Sequence, residues 1–210
     1  MSDQEAHRDE RRPASARSDG AGRRGSRRDI LDATARLLSR SGYEATTTRA
    51  VAAAVGIKSA SLYYHFDSKD TIVLEVMNEG VDLVRRAVVE ALAALPAHAT
   101  PRERLGAAIE AHLLSSLEHS DYTSAGIKAF SFVPDAVRRE NRERRRAYED
   151  VWRTLIAELK EAEVIAPALS PDALRLMLLG AMNWAGEWYR PGRLTIASIA
   201  RNFAAAVLRD

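Results

Sequence analysis

Apolar side chains recur at helical spacing along most of this 210-residue chain, and this pattern restricts its possible folds more than any other feature. The first clear stripe consists of Ile30, Leu31, Thr34, Leu37 and Leu38. Such spacing places the side chains on one face of an α-helix. The apolar residues are mostly Ala, Leu and Val, and aromatic residues make up only 6% of the chain, which favours helices over strands. The sequence therefore predicts an all-α fold.

Capping residues and helix breakers divide the chain into about nine helices. Thr100 and Glu103 have the spacing of a capping box, with Pro101 at the first helical position. Gly42 supplies a stop for the first helix. The predicted helices cover residues 26–41, 47–55, 58–64, 68–95, 100–118, 122–132, 134–163, 170–189 and 195–208.

The first 25 residues are rich in Arg, Asp, Ser and Gly and have almost nothing to bury, which predicts a disordered polar tail. Its arginines form either a basic arm that contacts DNA or a solvated extension. Residues 1–72 hold thirteen basic and ten acidic side chains, whereas residues 73–210 hold eighteen and nineteen. The excess positive charge lies where an anionic partner would bind. We therefore expect a tail (1–25), a small basic domain (26–72) and a larger domain (73–210).

Several classes of function are disfavoured by what the sequence lacks. The chain has no cysteine, so disulfides and thiolate chemistry are excluded. No apolar run approaches the roughly 20 residues that cross a bilayer, and no secretion signal opens the chain, so we expect a cytoplasmic protein without membrane contact. No nucleophile elbow, phosphate loop or dinucleotide fingerprint occurs, and the histidines lack metal-ligand spacing. We expect no catalytic residue, cofactor or metal.

The segment from Thr46 to Phe66 carries the most specific pattern. Two short helical patterns flank Gly56, a residue that tolerates the left-handed backbone of a tight turn. The second of them leaves a cation and several hydroxyls on its outer face, which suit phosphates and base edges. The sequence thus predicts a DNA-binding helix-turn-helix. The candidate DNA-binding residues are Thr47, Thr48, Arg49, Lys58, Ser59, Ser61, Tyr63, Tyr64, His65 and Lys69.

Residues 26–72 resemble the DNA-binding domain of the TetR family of one-component repressors. The resemblance rests on the run GYEATTTRAVAAAVGI followed by SLYYHF and SK. It implies that residues 58–64 form the recognition helix and that Tyr63, His65 and Lys69 contact backbone phosphates. Ala50 departs from the family pattern, where an acidic residue is common, and Tyr64 replaces a frequent histidine.

The same resemblance implies an all-α effector domain that also forms a homodimer through its last two long helices. Two apolar stripes fit either a dimer contact or an intramolecular core. They consist of Leu174, Leu178, Ala181 and Ala185, and of Ile196, Ile199, Ala200, Phe203 and Val207. Dimerisation is expected because one short helix grips little DNA, whereas a two-fold dimer reads half-sites roughly 34 Å apart.

Candidate effector-binding residues lie in two segments of the larger domain. The stretch NWAGEWYRPG places Asn183 and Trp184 one turn before Trp188, either as core or dimer contacts or as the wall of a pocket. It is similar to a stretch in TetR-type regulators of fatty-acid and steroid-ring catabolism, which implies an acyl-CoA effector. The arginines from 138 to 146, Arg142 among them, form either a solvated helix face or a site for phosphates.

These observations predict a homodimeric, ligand-responsive repressor that is not an enzyme and that binds operator DNA. The expected effector is a CoA thioester of a fatty or alicyclic acid, with an uncharged hydrophobic compound as the alternative. Two other classes of function remain open at this stage. One is an all-α small-molecule-binding protein or enzyme that merely retains the helix-turn-helix, and the other is a non-specific nucleic-acid packaging protein.

Overall fold

The computed structural model describes residues 25–119 and 121–209. Within these residues the chain forms nine α-helices and no strand, which confirms the all-α prediction. The predicted tail lies outside the described residues, apart from Gly25 at its end. The helices are α1 Arg27–Ala45, α2 Thr48–Val55, α3 Ser59–Leu62, α4 Lys69–Ala93, α5 Pro101–Leu114, α6 Asp121–Ala129, α7 Asp135–Glu161, α8 Pro171–Trp188 and α9 Ile196–Val207, with a π-helical turn, Ser115–His119, after α5.

Side-chain caps begin the helices close to the predicted residues. At α5, Thr100 Oγ1 accepts from the Glu103 amide at 3.2 Å, and a Glu103 carboxylate oxygen accepts from the Thr100 amide at 2.8 Å. Ser26 and Asp29 form a second capping box at α1. Each box satisfies amides that have no partner inside the helix.

The first three helices and the start of α4 form a compact head. Gly42 interrupts α1 with φ 75°, ψ −178°, at the predicted stop, although helical hydrogen bonding resumes up to Ala45. Gly56 ends α2 in the left-handed region, with φ 80° and ψ 33°. The two glycines turn the chain so that one small core forms between the helices. That core contains Ile30, Leu38, Val51, Leu62 and Phe66.

The predicted recognition helix is shorter than expected. Only Ser59–Leu62 is α-helical, and the chain continues through i→i+3 hydrogen bonds from the Tyr63 amide to Ala60 and from the Tyr64 amide to Ser61. These bonds define a 3₁₀-like turn, which is common at helix ends. The turn brings Phe66 back into the core, where it is 3% exposed.

Two hydrophobic cores run through the molecule, and α4 contributes to both. The first half of α4 packs with α1 and α6 in the core of the head, through Ile72, Val76 and Met77. Its second half enters the core of the body through Val84 and Val88. The predicted boundary after residue 72 falls four residues into this helix. α4 is thus a continuous rod between the two parts.

The body packs α5, α7, α8 and α9 around Trp152, which is fully buried. The two apolar stripes noted in the sequence mostly face this core: Leu174, Leu178 and Ala185 are buried, whereas Ala181 is exposed. The stripe of α9 packs inward as well. None of the described helices is long and apolar enough to span a membrane.

Candidate functional site

The outer surface of the head presents the predicted DNA-binding residues. We call residues 58–65 the recognition segment. In it Tyr64 is 88% exposed and Tyr63 is 58% exposed, and Lys58, Ser59 and His65 are also exposed. Two adjacent aromatic side chains this exposed are candidates for contact with a partner.

The residues at the start of α2 flank this segment. Thr47 caps the helix, because its hydroxyl oxygen accepts from the Ala50 amide at 3.1 Å. Arg49 is exposed, whereas Thr48 is half-buried. Nine of the ten predicted residues thus belong to α2, α3 or the residues beside them, and Lys69 begins α4.

Lys69 is held by contacts inside the protein. Its ammonium group donates to the Tyr43 carbonyl at 2.7 Å and lies 3.6 Å from the centre of the Tyr43 ring. The Tyr43 hydroxyl in turn donates to Asp70 at 2.6 Å, and burial together with Asp70 raises the pKa of Tyr43. These contacts fasten the start of α4 to the end of α1 behind the recognition segment.

The head is fastened to the body through α6. Ser39 of α1 donates to Asp121 at 3.0 Å, and Lys128 donates to the Ser39 carbonyl at 2.9 Å. Tyr122 donates to Asp32, while Arg28 lies 4.9 Å from the centre of the Tyr122 ring. The first and last turns of α6 are therefore both anchored to α1.

The opposite side of α6 faces a cavity of about 340 Å³ inside the body. Helices α4, α5, α7 and α8 supply the rest of its wall. Much of the wall is apolar, including Met77, Val81, Val84, Ile127 and Leu179. The volume lies at the lower end of the 300–1,000 Å³ that is typical of small-molecule sites.

A buried histidine lies in the wall of this cavity. His112 is 2% exposed, and its Nδ1 is 2.6 Å from the Tyr148 hydroxyl. Burial lowers the pKa of His112 to about 4, partly offset by the side chain of Asn183. The imidazole is therefore neutral at pH 7. Burial raises the pKa of Tyr148, so the phenol is neutral too.

An ion pair between Arg175 of α8 and Glu149 of α7 borders the cavity. Arg175 is 8% exposed, and its Nη1 donates to Glu149 at 2.8 Å. Glu149 also pairs with Arg153 at 3.5 Å. Because Arg175 is paired with a carboxylate, its charge is tolerated in the wall of the cavity.

The cavity adjoins a second concave region lined mainly by arginines, which we call the arginine cleft. The cleft measures about 510 Å³, and it shares Phe130, Arg145 and Glu149 with the cavity. Arg145 lies over the Phe130 ring at 3.8 Å from its centre. The other arginines of the cleft are Arg138, Arg139, Arg142, Arg146 and Arg153. Arg144, the remaining arginine of the 138–146 run, does not line the cleft and pairs with Asp82 of α4.

A groove of about 560 Å³ adjoins the cavity on the side of α8 and shares Ile127, Gly180 and Asn183 with it. Trp184 lines this groove and is 65% exposed. Of the four predicted effector-binding residues, Asn183 thus borders the cavity, Trp184 the groove and Arg142 the cleft. Trp188 is 41% exposed and borders none of the three.

Sequence reasoning missed several polar residues that line the cavity, among them His112, Tyr148 and Arg175. The available signal was the periodicity of two helices, because His112 falls in the buried stripe of α5 and Tyr148 in that of α7. A polar side chain in an apolar stripe has to meet a partner or a ligand. The pairing itself joins residues 36 positions apart and needs the tertiary fold.

The fold and these sites define a two-part helical protein with a helix-turn-helix head and a body that encloses a ligand-sized cavity. Residues 98–210 match the tetracyclin repressor-like C-terminal domain, and residues 30–76 match the bacterial regulatory proteins of the tetR family. The chain belongs to the TetR family of transcriptional regulators, which confirms the resemblance noted in the sequence.

Relatives of known role support this assignment. The chain is 32% identical over 200 residues to the HTH-type transcriptional repressor KstR2 of Rhodococcus jostii, covering 90% of this chain and 93% of the relative. It is 54% identical over 43 residues, or 20% of this chain and 23% of the relative, to the biofilm operon regulator IcaR of Staphylococcus aureus. Both relatives are DNA-binding regulators rather than enzymes.

A solved structure extends the likeness to the whole fold. AibR in complex with isovaleryl coenzyme A and operator DNA superposes with a TM-score of 0.77 at 27% identity. The match covers 86% of this chain and 97% of that chain. The protein is accordingly a TetR-family transcriptional regulator of the ligand-responsive type.

Proposed function

We propose that this protein is a homodimeric cytoplasmic repressor that a CoA thioester releases from its operator. The observation that carries the proposal is that an apolar cavity and the arginine cleft are adjacent and share Phe130, Arg145 and Glu149 in their walls. A molecule with an apolar acyl group at one end and phosphates at the other matches these two compartments. AibR, which shares the fold, binds isovaleryl coenzyme A.

The DNA-binding role rests on the recognition segment. Its tyrosines and Lys58 project from the head, and α2 supports them from behind. Short side chains such as Ser59 and Ser61 leave room for close approach to base edges, while Lys58 and His65 suit phosphates. Tyr64 is the more exposed of the two tyrosines and is the best candidate for contact with a base.

The homodimer rests on an apolar face of α8 that its own chain leaves uncovered. Met177, Trp184 and Trp188 are 62%, 65% and 41% exposed. Together with Ala181 they are spaced by four, three and four residues, which places them on one stripe. An exposed apolar stripe of this kind marks a protein interface. We propose that a second copy covers it, with Trp184 and Trp188 as dimer contacts.

The CoA moiety is assigned to the arginine cleft. Arg142 is one of six arginines that line it, and Glu149 and Asp135 are the acidic residues among them. Guanidinium groups bind phosphates with paired hydrogen bonds, so an excess of arginine over acid suits a nucleotide. Arg145 lies between the cleft and the cavity and is placed to meet the link between the two halves of the thioester.

The route from effector to DNA runs through α6 and α4. α6 faces the cavity with Thr123, Gly126 and Ile127 and holds α1 through Tyr122 and Lys128. α4 lines the cavity with Val81 and carries the head at its other end. A ligand that shifts either helix changes the spacing of the two heads in the dimer, and so biases the population that fits the operator.

An operator-release experiment tests the proposal. The purified protein is titrated against a duplex from the region upstream of its own gene and against a scrambled duplex, with and without isovaleryl-CoA, longer acyl-CoAs and the free acids. We expect specific binding to the upstream duplex, and we expect release by at least one thioester but not by its free acid. Release by uncharged hydrophobic compounds alone would contradict the CoA assignment, and equal binding to both duplexes would contradict the operator assignment.

Two variants sharpen this experiment. Lys58→Ala is expected to weaken binding to any duplex. It should also reduce the slope of log affinity against log salt concentration by about one, the value for one lost phosphate contact. The matched variant Lys160→Ala on α7 should leave both the affinity and the slope unchanged. Arg142→Ala is expected to weaken binding of the thioester but not binding of the operator. Arg193→Ala, in the loop before α9, is the control for the loss of one positive charge.

A further inference from the structure

Three buried side-chain nitrogens have no hydrogen-bond partner within the described part of the chain: His112 Nε2, Trp152 Nε1 and Arg175 Nε. Two of the three belong to residues that line the cavity. A buried donor or acceptor without a partner costs free energy, so such groups are rare unless something else satisfies them. The cavity is where a ligand atom would do so.

The two nitrogens differ in how their residues are connected to the arginine cleft. Arg175 is bonded to Glu149, and Glu149 lines both the cavity and the cleft. His112 borders only the cavity and packs behind it against Tyr148 and Trp152. A ligand that enters from the cleft would therefore meet Arg175 first and His112 further inside.

We infer that the buried part of the effector carries two uncharged oxygens, an acyl carbonyl that accepts from Arg175 Nε and a second oxygen, on a compact apolar skeleton, that bonds His112 Nε2. This inference rests on the proposed function, because it takes the acyl group of the effector to occupy the cavity. It makes His112 a residue that determines specificity. An unsubstituted acyl group leaves His112 Nε2 with no neighbouring polar group of the described chain other than the Asn183 side chain.

The oxygen at His112 has to be uncharged. The imidazole is neutral at pH 7, because burial holds its pKa near 4, and a neutral ring offers little compensation for a buried carboxylate. The wall of the cavity also contains apolar residues such as Val84. Asn183 borders the same space from α8, and its amide can share the oxygen with His112.

The kind of oxygen depends on the tautomer of His112, which Tyr148 sets. If the phenol donates to Nδ1, the hydrogen lies on Nε2, and both a carbonyl and a hydroxyl oxygen can accept it. If Nδ1 carries the hydrogen, Nε2 is an acceptor, and only a hydroxyl can bond it. Comparing a ketone with an alcohol on the same skeleton therefore reports the tautomer, because the ketone binds tightly only if Nε2 carries the hydrogen. Either tautomer requires an uncharged oxygen on the ligand.

Three thioesters test the inference: cyclohexanecarboxyl-CoA and its 4-oxo and 4-hydroxy derivatives. Binding is measured by calorimetry on the intact protein and compared with release of the upstream duplex. We expect at least one oxygenated thioester to bind about tenfold more tightly than the parent, since a site that holds an unpaired buried donor discriminates against a ligand that lacks the bond. Equal affinity of all three for the intact protein overturns the inference.

Variants of His112 assign the preference to its side chain. His112→Leu should abolish the advantage of the oxygenated thioesters, and His112→Gln, which keeps a neutral hydrogen-bonding group, should retain part of it. His98→Leu, the same change at an exposed histidine in the loop before α5, is the matched control. Operator binding without ligand reports whether each variant is folded. A preference that persists in a folded His112→Leu protein overturns the assignment to His112.

The failure of this inference and of the proposed function can be told apart. If the thioesters bind and release the operator without regard to the oxygen, the CoA proposal stands and the inference falls. If no thioester binds, thermal shift with 4-ethylcyclohexanone, 4-ethylcyclohexanol and ethylcyclohexane repeats the comparison without CoA. Preference for an oxygenated compound then supports the role of His112 and rejects the CoA assignment, and the absence of any preference rejects both.

Discussion

At the scale of single residues, His112 shows how burial changes the chemistry of a side chain. In the sequence it is one of five histidines, and it lies one helical turn after the apolar residues Ala108 and Ile109 of α5. In the fold it is enclosed by Tyr148 and Trp152, whose rings lie 6.0 and 6.3 Å from its own. Enclosure disfavours the charged imidazolium, so the native protein holds this residue neutral well below the usual pH of titration.

The lowered pKa of His112 predicts a pH dependence of stability. Between pH 6.5 and about 4 the unfolded chain binds a proton at this residue and the native protein does not, so the free energy of unfolding falls as pH decreases through that window. The loss is on the order of 3 kcal/mol across the full window. Urea unfolding at pH 7 and pH 5 should show a smaller loss for His112→Gln than for the parent. Equal losses in the two proteins would show that other groups cause the dependence.

At the scale of helices, α4 and α6, which both line the cavity, cross in close backbone contact at Gly80. A Cβ on Gly80 would lie 2.3 Å from the Tyr122 carbonyl oxygen and 3.2 Å from the Thr123 Cα. The Thr123 hydroxyl donates to the Gly80 carbonyl at 3.3 Å across the same contact. Any side chain at position 80 therefore has to push the two helices apart, and α6 is anchored to the head.

Gly80→Ala is predicted to lower the free energy of unfolding by about 1–3 kcal/mol, because overpacking against backbone atoms cannot be relieved by a side-chain rotation. It should also change the operator affinity without ligand, since α6 positions α1. Gly106→Ala is the matched control: a Cβ there meets nothing within 4 Å, so the substitution should be neutral or stabilise the protein by up to about 1 kcal/mol. Urea denaturation and operator titration measure both effects. Equal stability changes in the two variants would show that the crossing tolerates a side chain.

At the scale of the whole molecule, DNA recognition by the proposed dimer depends on a surface outside the recognition segment. The recognition segment is short, with a single α-helical turn at Ser59–Leu62, and one copy of it contacts few base pairs. The uncovered stripe of α8 belongs to the body and offers a surface through which two copies, and so two heads, can pair. Dimerisation there would fix the distance between two recognition segments.

Met177→Glu combined with Trp184→Glu should convert the dimer into a monomer, because carboxylates cannot be buried unpaired in an apolar interface. Operator affinity should fall with it, while the helical content stays unchanged because both side chains are exposed in the single chain. Analytical ultracentrifugation measures the first effect and operator titration the second. Val89→Glu, at an equally apolar and 41% exposed position on α4, is the control. A double variant that remains dimeric would place the interface elsewhere.

Much of this protein follows from local sequence. Helical periodicity and caps such as Thr100 and Glu103 determined the number of helices and most of their ends, because both act within a few residues of the chain. The turn at Gly56 and the hydroxyl-rich residues after it likewise determined the helix-turn-helix. These features need no knowledge of distant contacts.

Tertiary structure alone decided what the body can bind and which faces stay open. The pairing of His112 with Tyr148, of Arg175 with Glu149 and of Arg144 with Asp82 joins different helices. The tertiary structure also decided that α8 buries Leu174 and Leu178 and leaves Trp184 uncovered. Periodicity shows that a helix has an apolar face but not which neighbour covers it, because the packing partners are set by how helices cross in space.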